Sequence, residues 1–92
     1  QQVKQEAEAV NAAFVAALEA GLPATSEAAM DAAEQHRLSI HERFYDCSHE
    51  FHRNLGDMYV ADPRFTQTYD ALTPGLAAYV RDAIHANADR HC

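Results

Sequence analysis

Apolar residues recur with a spacing of roughly three to four through most of the chain, and the breaks fall at glycine, proline and short polar clusters; this is the pattern of amphipathic helices joined by tight turns. Over residues 1–20, Val3, Ala7, Val10, Phe14, Ala17 and Leu18 share one helix face, with Gln, Lys and Glu between them, and Gly21 supplies the stop. Residues 22–25 hold Pro23 and form a connector. Ser26 then caps a second helix, which carries Glu27 in its first turn and runs to about Phe44. Its inward line is Ala29, Ala32, Ala33, His36, Ile40 and Phe44. Tyr45, Asp46 and Ser48 mark a turn, and a third helix from about Cys47 to Val60 puts Cys47, Phe51, Leu55, Met58 and Tyr59 on one stripe. Asp62 followed by Pro63 opens a short fourth helix that carries Phe65 and Tyr69 inward. Thr73 followed by Pro74 opens the last helix, whose apolar face is Leu76, Ala77, Val80, Ala83 and Ile84, weakened near its end by Asn87. Strand-like alternation, hairpin turns, repeats and interdomain linkers are all missing from this order. One all-α domain of five helices over residues 1–92 is the expectation.

Composition agrees. The 92 residues exceed the ~70–80 below which a core normally needs disulfide or metal staples. With 48% hydrophobic and 23% charged residues and only three Gly and three Pro, the chain is too apolar to be disordered. Seven Lys and Arg against fourteen Asp and Glu give a net charge of −7, which repels phosphate backbones and anionic lipid and argues against direct nucleic-acid contact. The cysteines are Cys47 and the terminal Cys92, a poor basis for a specific bridge, so a reduced, cytoplasmic setting is expected. No apolar run approaches the ~18–20 residues of a membrane span, and the opening lacks the order of a signal peptide. The chain starts without Met in the middle of a helical pattern and reads as part of something longer.

Candidate chemistry gathers in the middle of the chain, where His36, His41, His49 and His52 surround Cys47. Imidazole and thiolate are zinc ligands, and an inward histidine in an all-α fold could ligate haem, so a metal- or haem-binding domain is one reading. The spacing argues against it: His49 and His52 are not four apart as in zincins, and there is no CxxC. His36, on an apolar stripe, reads as a hydrogen-bonded core histidine or as the polar point of an apolar cleft. Cys47 at a helix start could have a lowered pKa, but the commoner fate of a free cysteine is a small buried hydrophobe. No glycine-rich turn beside Cys47 offers an oxyanion donor, so an enzyme is the weaker class. Four tyrosines need partners for their hydroxyls, which puts some of the rings at a surface or cleft.

The strings EAAMDAAEQHR, FYDCSHEFHRNLGDMYVADPRFT and PGLAAYVRDAIHANADRH resemble the TipA-S-like antibiotic-recognition domains of MerR-type transcription regulators, over nearly the whole chain. The resemblance implies a globin-like fold without haem, placed after a winged helix-turn-helix and a dimerising coiled coil in a promoter-binding activator. It also implies no catalysis, and thiopeptide antibiotics or similar large hydrophobic molecules as ligands, whose binding turns on multidrug-resistance genes. Family members that trap dehydroalanine-bearing thiopeptides covalently carry a second cysteine seven residues after the first; Cys47 matches the first position but Asn54 occupies the second, so reversible binding is expected. The aromatic-rich segment that precedes the first helix in the family lies outside these residues, so weaker binding than by an intact domain is expected. A ligand of that bulk needs an open or loosely held cleft. Its expected walls are His36, Ile40, Phe44, Tyr45, Cys47, Phe51, Leu55 and Tyr59 of the second and third helices, with Tyr79 approaching from the last.

Overall fold

The computed structural model describes the backbone of residues 2–43 and 46–91 and the side chains of residues 8–42 and 46–91. Phe44 and Tyr45, two of the expected cleft residues, lie outside them, as do the side chains of Val3 and Ala7. The described chain forms five helices and no strand: α1 (Gln2–Glu19), α2 (Glu27–Arg43), α3 (His49–Ala61), α4 (Pro63–Asp70) and α5 (Leu76–Arg90).

Most boundaries follow from local chemistry. Past the end of α1, Gly21 sits at φ 77°, donates to the Leu18 carbonyl at 3.0 Å, and lets Leu22 N–H reach back to the Ala17 carbonyl at 3.1 Å, which together satisfy carbonyls the helix leaves open. Ser26 Oγ accepts from Ala29 N–H at 3.3 Å to cap α2. Ser48 Oγ accepts from Phe51 N–H at 3.1 Å, so α3 starts at His49 and Cys47 lies ahead of the cap rather than in the first turn. Asp62 caps α4 by accepting from Arg64 N–H at 3.0 Å, and Pro63 follows it. The last start differs from expectation. Thr73 and Pro74 belong to a turn that ends in Gly75 at φ 84°, and the open Ala77 N–H of α5 is satisfied at 3.0 Å by Asp70 Oδ1, which reaches over from the end of α4.

The core sits around α5, which packs against each of the other four helices. Leu76, Tyr79, Val80, Ala83 and Ile84 meet Val10, Phe14 and Ala17 of α1, Ala29, Ala32 and Ala33 of α2, and Tyr59 of α3. The all-alanine face of α2 leaves room for the fully buried Phe14.

The buried face of α3 is rotated from the expected stripe. It consists of His52, Gly56 and Tyr59, while Phe51 and Met58 are 38% and 39% exposed. Gly56 faces α5 on this line: a Cβ placed there would lie 3.4 Å from Ile84 Cδ1 and 3.5 Å from Arg81 Cα, an ordinary contact that leaves room for a methyl group but not for a larger side chain. Phe65 is also less inward than expected, at 36% exposure, although its ring lies 5.4 Å from that of Tyr59.

Candidate functional site

Where α2 meets the start of α3, the alanine face of α2 gives way to His36. Its Nδ1 lies 2.8 Å from Nε2 of His52, and the two rings stack with centroids 5.0 Å apart. Phe14 and Tyr59 stand edge-on to His36 at 6.5 and 6.0 Å. Burial pushes His36 down to about 4, and burial together with the charges of His36 and Arg37 pushes His52 down to about 3. Both rings are therefore neutral at physiological pH. His52 is 1% exposed and its Nδ1 has no hydrogen-bond partner among the described residues. Ile40, one turn beyond His36, and Leu55 are half-buried, and the Tyr59 ring also contacts Tyr69 at 5.2 Å.

A charged network flanks this pair. Glu34 receives Arg37 Nη2 at 2.6 Å, Asn87 Nδ2 at 2.9 Å and His49 Nε2 at 3.0 Å. Burial alone would raise the Glu34 carboxyl, but the three donors and the Arg37 charge outweigh it and hold it down at about 2. Arg37 Nη1 also donates to the Cys47 carbonyl at 2.7 Å, and Cys47 N–H donates to His41 Nδ1 at 3.0 Å. Side chains of α2 thus fix the residue that leads into α3. The Cys47 side chain is fully buried, and burial pushes its thiol up, against the pull of Arg37. Ser48 takes the cap position, so the helix N-terminus does not activate this thiol.

The structure divides the expected metal set. His36 pairs with His52, His41 accepts from Cys47 N–H, and His49 turns to Glu34, so the four histidines and Cys47 do not converge. Tyr79 is 8% exposed and its hydroxyl donates to the Leu22 carbonyl at 3.0 Å, with the Pro23 carbonyl at 3.4 Å, which assigns it to the connector between α1 and α2. Glu34, Arg37, Asn87 and His91 were not read as site residues. Only Asn87, polar on an apolar face, carried a local signal.

Two open grooves flank α1. One of about 350 Å³ runs between α1 and α2, lined by Val10, Gln35, Leu38, Ser39 and Glu42 among others. The other, of about 530 Å³, lies between the outer face of α1 and Leu72.

Residues 1–87 match the TipAS antibiotic-recognition domain. The chain belongs to this family. As a TipAS domain it is 57% identical over 91 residues to the transcriptional activator TipA of Streptomyces coelicolor, a match that takes in 99% of this chain and 36% of that protein. It is 31% identical over 88 residues to the regulator SkgA of Caulobacter vibrioides, with 95% of this chain and 34% of that protein covered. The chain therefore spans about a third of the length of these curated relatives. Among solved structures, TipAS of Streptomyces lividans in complex with nosiheptide superposes with a TM-score of 0.92 at 57% identity, over 99% of this chain and 64% of that one. The antibiotic-binding domain of a TipA-class multidrug-resistance regulator superposes at 0.88 over 99% of this chain and 97% of that one, again at 57% identity. The relatives are regulators, and the TipAS domain is a recognition domain rather than a catalytic one.

Proposed function

We propose that residues 1–92 form a single ligand-sensing domain of a cytoplasmic, MerR-type transcription activator. It binds thiopeptides or comparable large apolar macrocycles and passes that binding to a promoter-bound, dimeric DNA-binding part. The carrying observation is the 57% identity and 0.92 TM-score to a TipAS domain solved with nosiheptide. The acidic chain, with a net charge of −7, fits a division of labour in which another segment contacts DNA. The ligand wall is the α2–α3 face: Ile40, Phe51 and Leu55 line it, backed by the less exposed His36, Cys47 and Tyr59, with Phe44 and Tyr45 contributed by the sequence between the helices. Phe51 supports this assignment because it is a large apolar residue 38% exposed on α3. Tyr79 braces the connector and is left out of the wall.

Calorimetric titration with nosiheptide tests the reading. Binding with a negative heat-capacity change is expected, and a Phe51→Ala variant should fold normally yet lose about tenfold in affinity, equivalent to ~1.4 kcal/mol. Absence of any heat or thermal shift would reject the sensing assignment, and unchanged affinity in Phe51→Ala would reject the wall.

A further inference from the structure

At the C-terminal end of α5, three potential metal donors from three separate parts of the fold come together. Glu34 of α2, His49 of α3 and His91 just past α5 each offer one donor atom, and these atoms lie within 4.8 Å of one another. We propose that Glu34, His49 and His91 bind a borderline divalent transition metal, of which Zn²⁺ is the representative, in a site distinct from the ligand wall.

The pairwise chemistry suits such an ion. A tetrahedral zinc with bonds of ~2.0–2.2 Å spaces its ligands roughly 3.3–3.6 Å apart, and Glu34 Oε1 and His49 Nε2 already stand 3.0 Å apart. Because Glu34 is ionised, the proton in that contact belongs to His49 Nε2. Metal entry at Nε2 requires that proton to pass through solvent to Nδ1, so His49 would bind as its Nδ1–H tautomer. His91 is prepared in a different way: its Nδ1 stands 2.8 Å from the backbone carbonyl of Asn87, which can only accept, so the neutral ring carries its proton there and Nε2 is a lone pair. This contact orients the ligand from behind, the arrangement usual for metal-bound histidine. The His49 and His91 rings lie 4.3 Å apart and within 14° of parallel, so both must tilt out of this stack before their in-plane lone pairs converge on one ion. Asn87 Nδ2 at 2.9 Å and Arg37 hold the Glu34 carboxylate in place.

Arg37 also shares the negative charge of that carboxylate. A hard ion such as Mg²⁺ or Ca²⁺, which depends on carboxylate charge and oxygen ligands, is disfavoured, while an ion that bonds well to imidazole is not. Three protein ligands leave a fourth position for water or an external donor. The ion would tie α2, the start of α3 and the end of α5 to one point. None of the expected set apart from His49 takes part.

The test uses the chelator-treated chain, titrated with Zn²⁺ by calorimetry and with Co²⁺ as a visible-range probe, without any antibiotic, so that its outcome is independent of the sensing assignment. One equivalent of Zn²⁺, a raised Tm and Co²⁺ ligand-field bands are expected. His49→Ala and His91→Ala should each weaken Zn²⁺ at least ~10-fold. His85→Ala, which removes an imidazole paired with Asp57 outside the site, should leave it unchanged. Glu34→Gln also disturbs Arg37 and Asn87, so the two histidine variants carry the decision. No binding, or binding that survives both histidine variants, or binding lost equally in His85→Ala, overturns the proposal.

Discussion

His36 Nδ1 of α2 and His52 Nε2 of α3 share a 2.8 Å hydrogen bond across the helix pair, and no described group bonds the other ring nitrogen, His52 Nδ1. Removing one ring strands the other. His36→Leu is expected to cost on the order of 1–3 kcal/mol, because His52 then has a buried polar edge without a partner. The double variant His36→Leu/His52→Leu should cost at least ~1 kcal/mol less than the sum of the single variants, since an apolar pair leaves nothing unsatisfied. Urea unfolding of the four proteins measures the coupling, and strictly additive costs would mean that the bond does not join the helices.

The same pair sets a pH window. Both imidazoles are depressed in the folded chain, to about 4 and about 3, from an ordinary 6.5, so the unfolded chain binds more protons between those values. Stability is therefore full above pH 6.5 and is lost as pH falls toward 4, by on the order of 3 kcal/mol from His36 alone, with His52 adding in the same direction. Glu34, held at about 2 against an ordinary 4.5, adds a lower step: its contribution is present above pH 4.5 and disappears as pH falls toward 2. Urea midpoints from pH 8 to 3 should show the upper step in the parent and not in His36→Leu/His52→Leu. A parent curve that is flat from pH 7 to 5 would contradict the assignment.

Gly56 allows a graded test of the α3–α5 contact. A methyl group would sit at 3.4 Å from Ile84 Cδ1, an ordinary contact, so Gly56→Ala should be neutral or gain up to ~1 kcal/mol in helix propensity. Gly56→Leu forces a branched side chain into the same line and should cost ~1–3 kcal/mol. Thermal melts of both variants decide it, and equal stability of the Leu variant would show that close approach is not what orients α3.

Cys47 should be a slow nucleophile. Its side chain is fully buried and burial raises its pKa, so little thiolate exists near neutral pH. In a Cys92→Ser background, its reaction with a disulfide reagent should be at least ~10-fold slower folded than in urea. With nosiheptide, the intact mass after denaturation should be that of the protein alone. An adduct of ligand mass that survives denaturation and disappears in Cys47→Ser would show covalent capture.

What could be read in the sequence was local chemistry. Ser26, Ser48, Asp62 with Pro63, and Gly21 each cap or stop a helix through partners a few residues away, so their positions were legible. The apolar face of α5 was legible for the same reason. The burial of α3 was not, because periodicity favours the large residues Phe51 and Met58, whereas the face turned to α5 carries the small Gly56, a position with no room for a larger side chain. Thr73 misled because the cap of α5 comes from Asp70, seven residues before the Ala77 amide it serves. The charged network was invisible for a simpler reason: Glu34 and Asn87 are 53 residues apart, and nothing along the chain announces that they meet.

The partners of α5 change in kind along its length. Near its start Leu76 and Val80 are sealed in hydrocarbon, and Tyr79 grips the Leu22 carbonyl. Past Ile84 the helix still buries Asn87 and Ala88 but adds exposed polar contacts to α2 and α3: His85 with Asp57, Asp89 with Arg53, and Arg90 with Asp31. Dissolved ions screen such exposed pairs within a Debye length of ~8 Å at physiological ionic strength and ~3 Å at 1 M, while apolar burial is not weakened in that way. The two ends of one rod therefore answer to different properties of the solvent. Concentrated salt is expected to loosen the contacts at the far end of α5 before those at its start, where burial is apolar.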